Sequence, residues 1–449
     1  MPTNPYLLGN FAPVETEVTA ANLTVIGSLP TELNGRYLRN GPNPLGSPDP
    51  ETYHWFTGEG MVHGISVRDG RAEWYRNRWV RSASVAAALG EATRPGPIHA
   101  DMDFAANTNV IGHDGRTFAL VEAGSRPYEL DDELETIGPC DFGGTLRGGY
   151  TAHPKKDPDT GELFAVSYFF GWGNDVEVTV IGPDATVRSA RRVALGGAVS
   201  LHDTAITKNW IVLLDLPVLF DLDLAVAGAR FPYRWFEDYH ARVGLLPRAG
   251  NSTEVLWHEV APCYVFHTMN AYDEGAGIVL DVARHDSMFR TQLLGPAEGP
   301  PTLERWHIDG RGGSVKEERL DDRGQEFPRV DERFLGRNYS IGFSVSVMTQ
   351  GDILGTESGL IRHDLEANTA QVRHFRSGAT LGEAVFVPKD AAANEGDGWL
   401  LTLVHQAETD TSDLYVLNAQ DITGEPQAIV QLPQRVPAGF HGNWIPYAD

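Results

Sequence analysis

Fifteen histidines stand in a chain of 449 residues, against two cysteines, Cys140 and Cys263. Imidazole can ligate a metal or move a proton near neutral pH, so these are the first residues to weigh. No two of them have the helix spacing of an HExxH metal site, and there is no CxxC. Four sit in distinctive contexts. His153 lies in Tyr150-Thr-Ala-His-Pro, just before a turn, and His202 opens a strand in Ser200-Leu-His-Asp. His267 ends one in Tyr264-Val-Phe-His-Thr, and His441 sits in Gly439-Phe-His-Gly-Asn-Trp. The first three flank apolar runs expected to be buried, and a buried imidazole needs a hydrogen bond or a metal. Glu122 and Glu383 border apolar runs as well. The other histidines, including His63, His113, His258, His285, His363 and His405, are expected in turns or on element surfaces, with His54 left open. Gly58-Glu-Gly and Gly310-Arg-Gly-Gly lack the helix context and lysine of a phosphate loop. Ser344 lacks the second glycine of a nucleophile elbow, because Ser346 stands there.

Positioning such residues falls to β-structure. Gly (48) and Pro (28) are spread along the chain, which marks many turns between short elements. Asp69-Gly70 lies between Gly64–Val67 and Ala72–Trp79, and Asp114-Gly115 between Thr108–Gly112 and Thr117–Glu122, both strong hairpin signals. Leu163–Phe170 is a further strand. Further hairpins are expected at Asp175–Ile181 with Thr186–Ala194, Thr204–Thr207 with Trp210–Asp215, and Leu303–Ile308 with Ser314–Arg319. Two more pair Val345–Thr349 with Asp352–Glu357 and Trp399–His405 with Asp413–Asn418. Helical periodicity is confined to Ser84–Thr93 and parts of Leu222–Val243. No fixed-length repeat is visible. Repeated antiparallel hairpins suggest one large closed all-β domain over 1–449, with a propeller as the economical form because it leaves only short, protected edges. A pair of sandwiches is the alternative. Segment 213–248 is expected to stand apart as an insertion. It holds Phe231, Tyr233, Trp235, Phe236 and Tyr239 after an apolar stretch, and suits the wall or mouth of an apolar passage.

The net charge of −25 argues against nucleic acid, whose phosphates need a basic surface. Two cysteines make no disulfide framework, which fits a reducing cytoplasm. No signal peptide or membrane-spanning apolar run is expected from the sequence.

Several segments together resemble one family. Leu33-Asn-Gly-Arg-Tyr-Leu-Arg-Asn-Gly-Pro-Asn-Pro and His54-Trp-Phe-Thr-Gly-Glu-Gly-Met-Val-His-Gly resemble the opening signature of the carotenoid cleavage oxygenases. Ala106-Asn-Thr-Asn-Val, Glu326-Phe-Pro-Arg, Phe386-Val-Pro-Lys and His441-Gly-Asn-Trp match as well, so the resemblance spans nearly the whole chain. It implies a seven-bladed β-propeller with a helical and loop dome over an axial metal site. It implies one non-haem Fe(II) per chain, held by His153, His202, His267 and His441. It also implies that Glu122, Glu326 and Glu383 each accept a hydrogen bond from a ligand imidazole, which would fix the tautomer and offset charge. Thr108 matches a threonine that crowds an open iron position in the family.

The reaction expected from the resemblance is cleavage of a carbon–carbon double bond by O₂ into two carbonyl products. Phe56 is the candidate for packing on the substrate. Family members that cut stilbenes and phenylpropenes tend to carry a Lys just before the first glutamate and a Tyr upstream. Here Val121 holds the first place, and 81–101 contains no Tyr. An apolar polyene or apocarotenoid is therefore expected, with a stilbene or phenylpropene as the alternative. A non-catalytic propeller with a structural metal is the alternative of another class. Because carotenoids reside in bilayers, Val218–Phe220 and Leu222–Val226 are expected to allow weak apolar contact with a membrane.

Overall fold

The computed structural model describes residues 4–347 and 359–447. Its antiparallel sheets form the seven-bladed β-propeller, built from short alternating strands joined by tight turns, with one extra two-stranded ribbon. The first blade takes Gly35–Pro42, Gly60–Arg68 and Arg71–Trp79, flanked by Thr19–Ala21 and by Gly442–Pro446. The second runs from Asn109–His113 to Thr136–Pro139, and the third from Lys155–Lys156 to Val187–Ala194. The fourth joins Ala205–Ile206, Trp210–Asp215, Arg242–Pro247 and Leu256–Glu259. The fifth runs from Tyr264–Glu274 through Gly277–His285 to Lys316–Asp321, and the sixth from Gln325–Val330 to Thr369–His374. The seventh is built on Gly398–Gln406 and Thr411–Asn418.

Both chain ends close the ring. Gly442–Pro446 pairs with Gly35–Pro42 inside the first blade, and Val25–Gly27 pairs with Ala428–Gln431 at the edge of the seventh. Alternating apolar positions then bury between blades. One cluster spans blades three to five, from Phe164 through Leu213 to Trp306, and another joins blades one and seven through Ile65, Leu401 and Leu414.

The expected hairpins form at the two Asp-Gly turns and at the later pairs, with strand ends shifted by at most two residues except that Gly60–Arg68 starts four residues before the expected Gly64. One expected pair falls differently. Ile341–Ser346 pairs with Gly359–Asp364, and the proposed partner Asp352–Glu357 lies outside the described residues. The helix expected over Ser84–Thr93 is shorter, Ala83–Ala88, capped by the Ser82 side chain. Parts of Leu222–Val243 were expected to be helical, but only Leu222–Val226 is. Gly228 at φ +86° ends that helix, and Tyr233–Trp235 turns back as a strand against Val218–Phe220. Segment 213–248 starts and ends inside the fourth blade, since Trp210–Asp215 pairs with Arg242–Pro247. The excursion from the blade is therefore 216–241. It packs on Phe289, Phe56 and His54 through Phe231. No helix among the described residues is long and apolar enough to cross a membrane.

Candidate metal centre

Each blade contributes one residue to a cluster on the propeller axis. His153 and His202 directly precede the inner strands of the third and fourth blades, and His441 precedes the closing strand of the first. His267 sits within the inner strand of the fifth blade, where the pairing register slips between Val265 and Thr268. Such a bulge re-aims a side chain off the regular alternation. Glu122 follows a strand of the second blade, Glu326 lies in the inner strand of the sixth, and Glu383 lies between short strands of the seventh. The backbone is strained beside two of the carboxylates. Ala123 and Phe327 both adopt left-handed φ, at 62° and 54°. This turn lets the Phe327 N–H donate to Glu326 Oε2 and lays the Phe327 ring 5.4 Å from that of His267.

The four histidines are buried, and one nitrogen from each lies within 4.8 Å of the others. His267 Nε2 and His441 Nε2 approach to 3.1 Å. About 3 Å is the separation of two neighbouring nitrogens on an ion with bonds of roughly 2.1 Å. His153 Nε2 is buried without a protein partner. The opposite ring nitrogens point outward to carboxylates. His202 Nδ1 lies 2.9 Å from Glu122 Oε1, His267 Nδ1 2.6 Å from Glu326 Oε2, and His441 Nδ1 3.0 Å from Glu383 Oε1. Each carboxylate accepts the Nδ1 proton and leaves Nε2 as the inward donor atom. Among the described residues, no carboxylate pairs with His153. The donor chemistry fits a divalent ion such as iron, which imidazole suits, with positions left open.

The three carboxylates differ. Glu383 also accepts from Arg329 at 2.9 Å and from the Gly442 N–H at 3.0 Å. Although burial opposes it, Arg329 and His441 hold its carboxyl down to about 2. Glu326 is held far below the usual range by His267 and His285, again against burial. Glu122 Oε2 has no partner among the described residues. Burial draws His441 down to about 4 and, with the three neighbouring imidazoles, takes His153 well below its ordinary value, so both are neutral near pH 7. For His267 burial acts downward too, but Glu326 raises it overall. Asp203 staples the fourth and fifth blades beside the cluster, accepting from Thr268 N–H and Oγ1 at 2.8 and 2.9 Å and pairing with Lys155 at 2.8 Å.

Two cavities meet at this cluster. One, of about 650 Å³, is lined mainly by apolar groups from the dome side, including Phe56, Phe231, Phe266 and Phe440. His202 lines this cavity alone, while His267 and His441 line both. The other cavity, about 560 Å³, follows the axis on the far side and is polar, with Asn109, Lys155, Asp203, Arg329 and His153 in its wall. Phe56 meets Phe231, Phe266, Phe289 and Phe440 edge to face, at centroid separations of 5.5 to 6.0 Å. Thr108 is buried in the apolar cavity. Its hydroxyl donates to Asn107 Oδ1 at 3.0 Å, and its carbonyl accepts from the His441 N–H at 3.1 Å. Val121 lines the same cavity.

Several histidines expected at surfaces are buried instead. His63 pairs with the Tyr75 hydroxyl at 2.9 Å, His113 with the Gly182 carbonyl at 2.8 Å, and His363 with Gln325 Oε1 at 2.7 Å. His258 and His405 are also buried. Wide blades bury polar side chains between strands, and local hydrophobicity does not reveal the partner that satisfies them. His285 was missed in the same way, and it lines the apolar cavity. The alternation of Gly277–His285 was the available signal, since it directs His285 to one face with Ala283 and Asp281.

Known proteins match this chain along nearly its whole length. A family model described as retinal pigment epithelial membrane protein, RPE65, matches residues 11–446. A Mycobacterium tuberculosis protein named carotenoid cleavage oxygenase is 44% identical, over 99% of this chain and 98% of that protein. An isoeugenol monooxygenase of Pseudomonas nitroreducens is 31% identical, over 99% and 98%. Among solved structures, a lignostilbene dioxygenase of Pseudomonas brassicacearum is 27% identical, with a TM-score of 0.89 and full coverage of both chains. A cobalt-substituted Synechocystis apocarotenoid oxygenase is 28% identical, with a TM-score of 0.85 over 97% of each chain.

Proposed function

Because this chain belongs to the RPE65 and carotenoid cleavage oxygenase family, we propose that it is a non-haem Fe(II) oxygenase cleaving a double bond of an apolar polyene. The observation that carries the reading is the convergence of four imidazoles, three of them lining the apolar cavity. His153, His202, His267 and His441 would hold one iron ion per chain. Bound iron supplies the activation of O₂ that amino-acid side chains lack. The remaining work belongs to the chain. Glu122, Glu326 and Glu383 keep three imidazoles in the ligating tautomer. The ring of Phe56 and its aromatic neighbours pins a flat polyene by edge and face contact and excludes water. Thr108, bonded through its backbone to His441, fills one side of the cavity floor. One oxygen atom added to each alkene carbon gives two carbonyl products.

A stilbene or phenylpropene substrate is the second reading, supported by the lignostilbene dioxygenase likeness. Val121 and the tyrosine-free stretch 81–101 favour the polyene instead. One experiment separates the readings: anaerobic iron loading, then mass spectrometry of products from a polyene panel and a hydroxystilbene. Aldehyde or ketone pairs from polyenes are expected. Products from the stilbene alone move the substrate class. Protein that binds no iron and cleaves nothing leaves the non-catalytic propeller.

The cavity opens beside Leu222 and Val226, which are 66% and 80% exposed. We propose weak peripheral membrane contact there and a cytoplasmic location, the latter in keeping with two free cysteines. Val218 is fully buried and Phe220 stacks on Phe170 at 5.0 Å, so the sequence-based expectation narrows to the helix. Leu222→Asp with Val226→Asp is expected to abolish sedimentation with neutral liposomes while leaving turnover of detergent-dispersed substrate intact. Equal sedimentation of both proteins ends the membrane proposal. Anionic lipid should not help, given the charge of −25.

A further inference from the structure

His285 ends the second strand of the fifth blade, Gly277–His285, beside the inner strand that carries His267. It is 5% exposed, and its ring lines the apolar cavity. Its Nε2 lies 3.3 Å from Glu326 Oε1, on the carboxylate whose other oxygen takes His267 Nδ1. An ionised carboxylate only accepts, so Nε2 carries the proton of this bond. A ring with one proton then presents a bare lone pair at Nδ1. That atom is buried and has no partner among the described residues. The rest of the ring is held by aromatic contact, at right angles to Phe266 with centroids 5.4 Å apart. Phe266 makes the same kind of contact with His202, at 5.3 Å. His285 therefore lies one aromatic ring away from the metal cluster, in the cavity lining that also includes Pro296 and Pro301. A buried acceptor left unpaired is rare in folded proteins and calls for an explanation.

We propose that His285 Nδ1 accepts a hydrogen bond from a hydroxyl group of the substrate, so that the enzyme prefers hydroxylated polyenes to their hydrocarbon counterparts. The inference deepens the alkene-cleavage reading and rests on it for the place of the substrate. The tautomer sets the polarity of recognition. Glu326 makes Nδ1 an acceptor, so a hydroxyl is matched, whereas a carbonyl or ether oxygen meets a lone pair and is not. The Tyr and Lys of the phenol-binding relatives would both donate to oxygen. His285 selects the opposite partner, a group that donates.

The test uses two polyenes identical except for one ring hydroxyl. Binding to the full-length protein under nitrogen is read from quenching of tryptophan fluorescence, with Trp55 in the cavity wall. Turnover is then measured in air. The native protein is expected to bind the hydroxylated polyene roughly tenfold more tightly, the scale of one net hydrogen bond. His285→Gln keeps a donor toward Glu326 but removes the acceptor at Nδ1. It should bring the two polyenes to parity without weakening the hydrocarbon. His285→Asn leaves an oxygen near the Nδ1 place and gives up Glu326. It should keep the preference. No preference in the native protein overturns the proposal, as does a preference that survives His285→Gln. Equal loss for both polyenes in both variants makes His285 a packing residue and overturns it too. A hydroxyl preference in binding without any cleavage supports the site and removes the oxygenase reading.

Discussion

His202→Ala empties the metal centre. Iron in the reconstituted protein falls from about one per chain to background, and polyene cleavage drops by more than the roughly 100-fold that loss of an outer hydrogen-bond partner costs. The size of the effect follows from the ligand count. With three imidazoles left, one of them without a carboxylate behind it, the ion loses a quarter of its protein donors. The fold should tolerate the change, because His202 precedes its strand and touches the cavity as much as the core. Metal-free His202→Ala and native protein should therefore unfold within about 1 kcal/mol of each other. Iron analysis and denaturant titration check both halves. Retained iron at native stoichiometry would remove His202 from the ligand set. Glu122→Gln gives the milder companion, a 10- to 100-fold loss of iron affinity.

Glu383→Ala is expected to damage stability and site together, unlike either variant above. Arg329 is largely buried and spreads its donors over Glu383, Glu332, Asn443 and the Gly442 carbonyl. Removing Glu383 leaves that guanidinium facing a void on its inner side, and breaking a buried pair costs about 3 kcal/mol or more. The same change frees His441 Nδ1 and the Gly442 N–H, so iron affinity falls as well. Denaturation of the metal-free proteins isolates the first effect. Adding Arg329→Met to Glu383→Ala should restore part of the stability and none of the iron. A Glu383→Ala protein as stable as native would mean that the buried pair contributes nothing net. The acid limb carries a second mark. A carboxyl held down to about 2 in the folded state contributes stability above the ordinary carboxylate range, and loses it as pH falls toward 2. That part of the acid sensitivity should vanish in Glu383→Gln.

Charge gives a reason for three carboxylates beside the four imidazoles. A divalent ion held there would bring two positive charges, which the buried carboxylates Glu122, Glu326 and Glu383 would offset.

Much of the propeller was legible because its strands announce themselves at turns. Asp69-Gly70 and Asp114-Gly115 sit between alternating runs, and both hairpins form there. Within Leu222–Val243, where parts were expected to be helical, the helix is confined to Leu222–Val226 for a local reason. The segment's apolar spacing suits a helix, yet Gly228 and Pro232 break it and Tyr233–Trp235 finds a strand partner in Val218–Phe220. The metal cluster was not legible from spacing. His153 and His441 lie 288 positions apart and meet only because the ring closes, so family resemblance rather than pattern pointed to them. His285 illustrates the remaining gap. Nothing local separates it from His258 or His363, also buried on strands. His258 Nε2 is unpartnered among the described residues as well, and it is the place in the apolar cavity wall beside Glu326 that singles out His285.

Ring closure has a consequence for the order of assembly. A chain folding from its first residues forward can complete blades two to six one after another. It cannot finish the first or the last, because Gly35–Pro42 waits for Gly442–Pro446 and Val25–Gly27 waits for Ala428–Gln431. His441 stands directly before that closing strand, so three imidazoles gather well before the fourth arrives. Iron uptake thereby becomes a clock. In a folding time course, metal incorporation should track the slowest long-range pairing in the molecule, and iron captured before it marks a nascent, open ring.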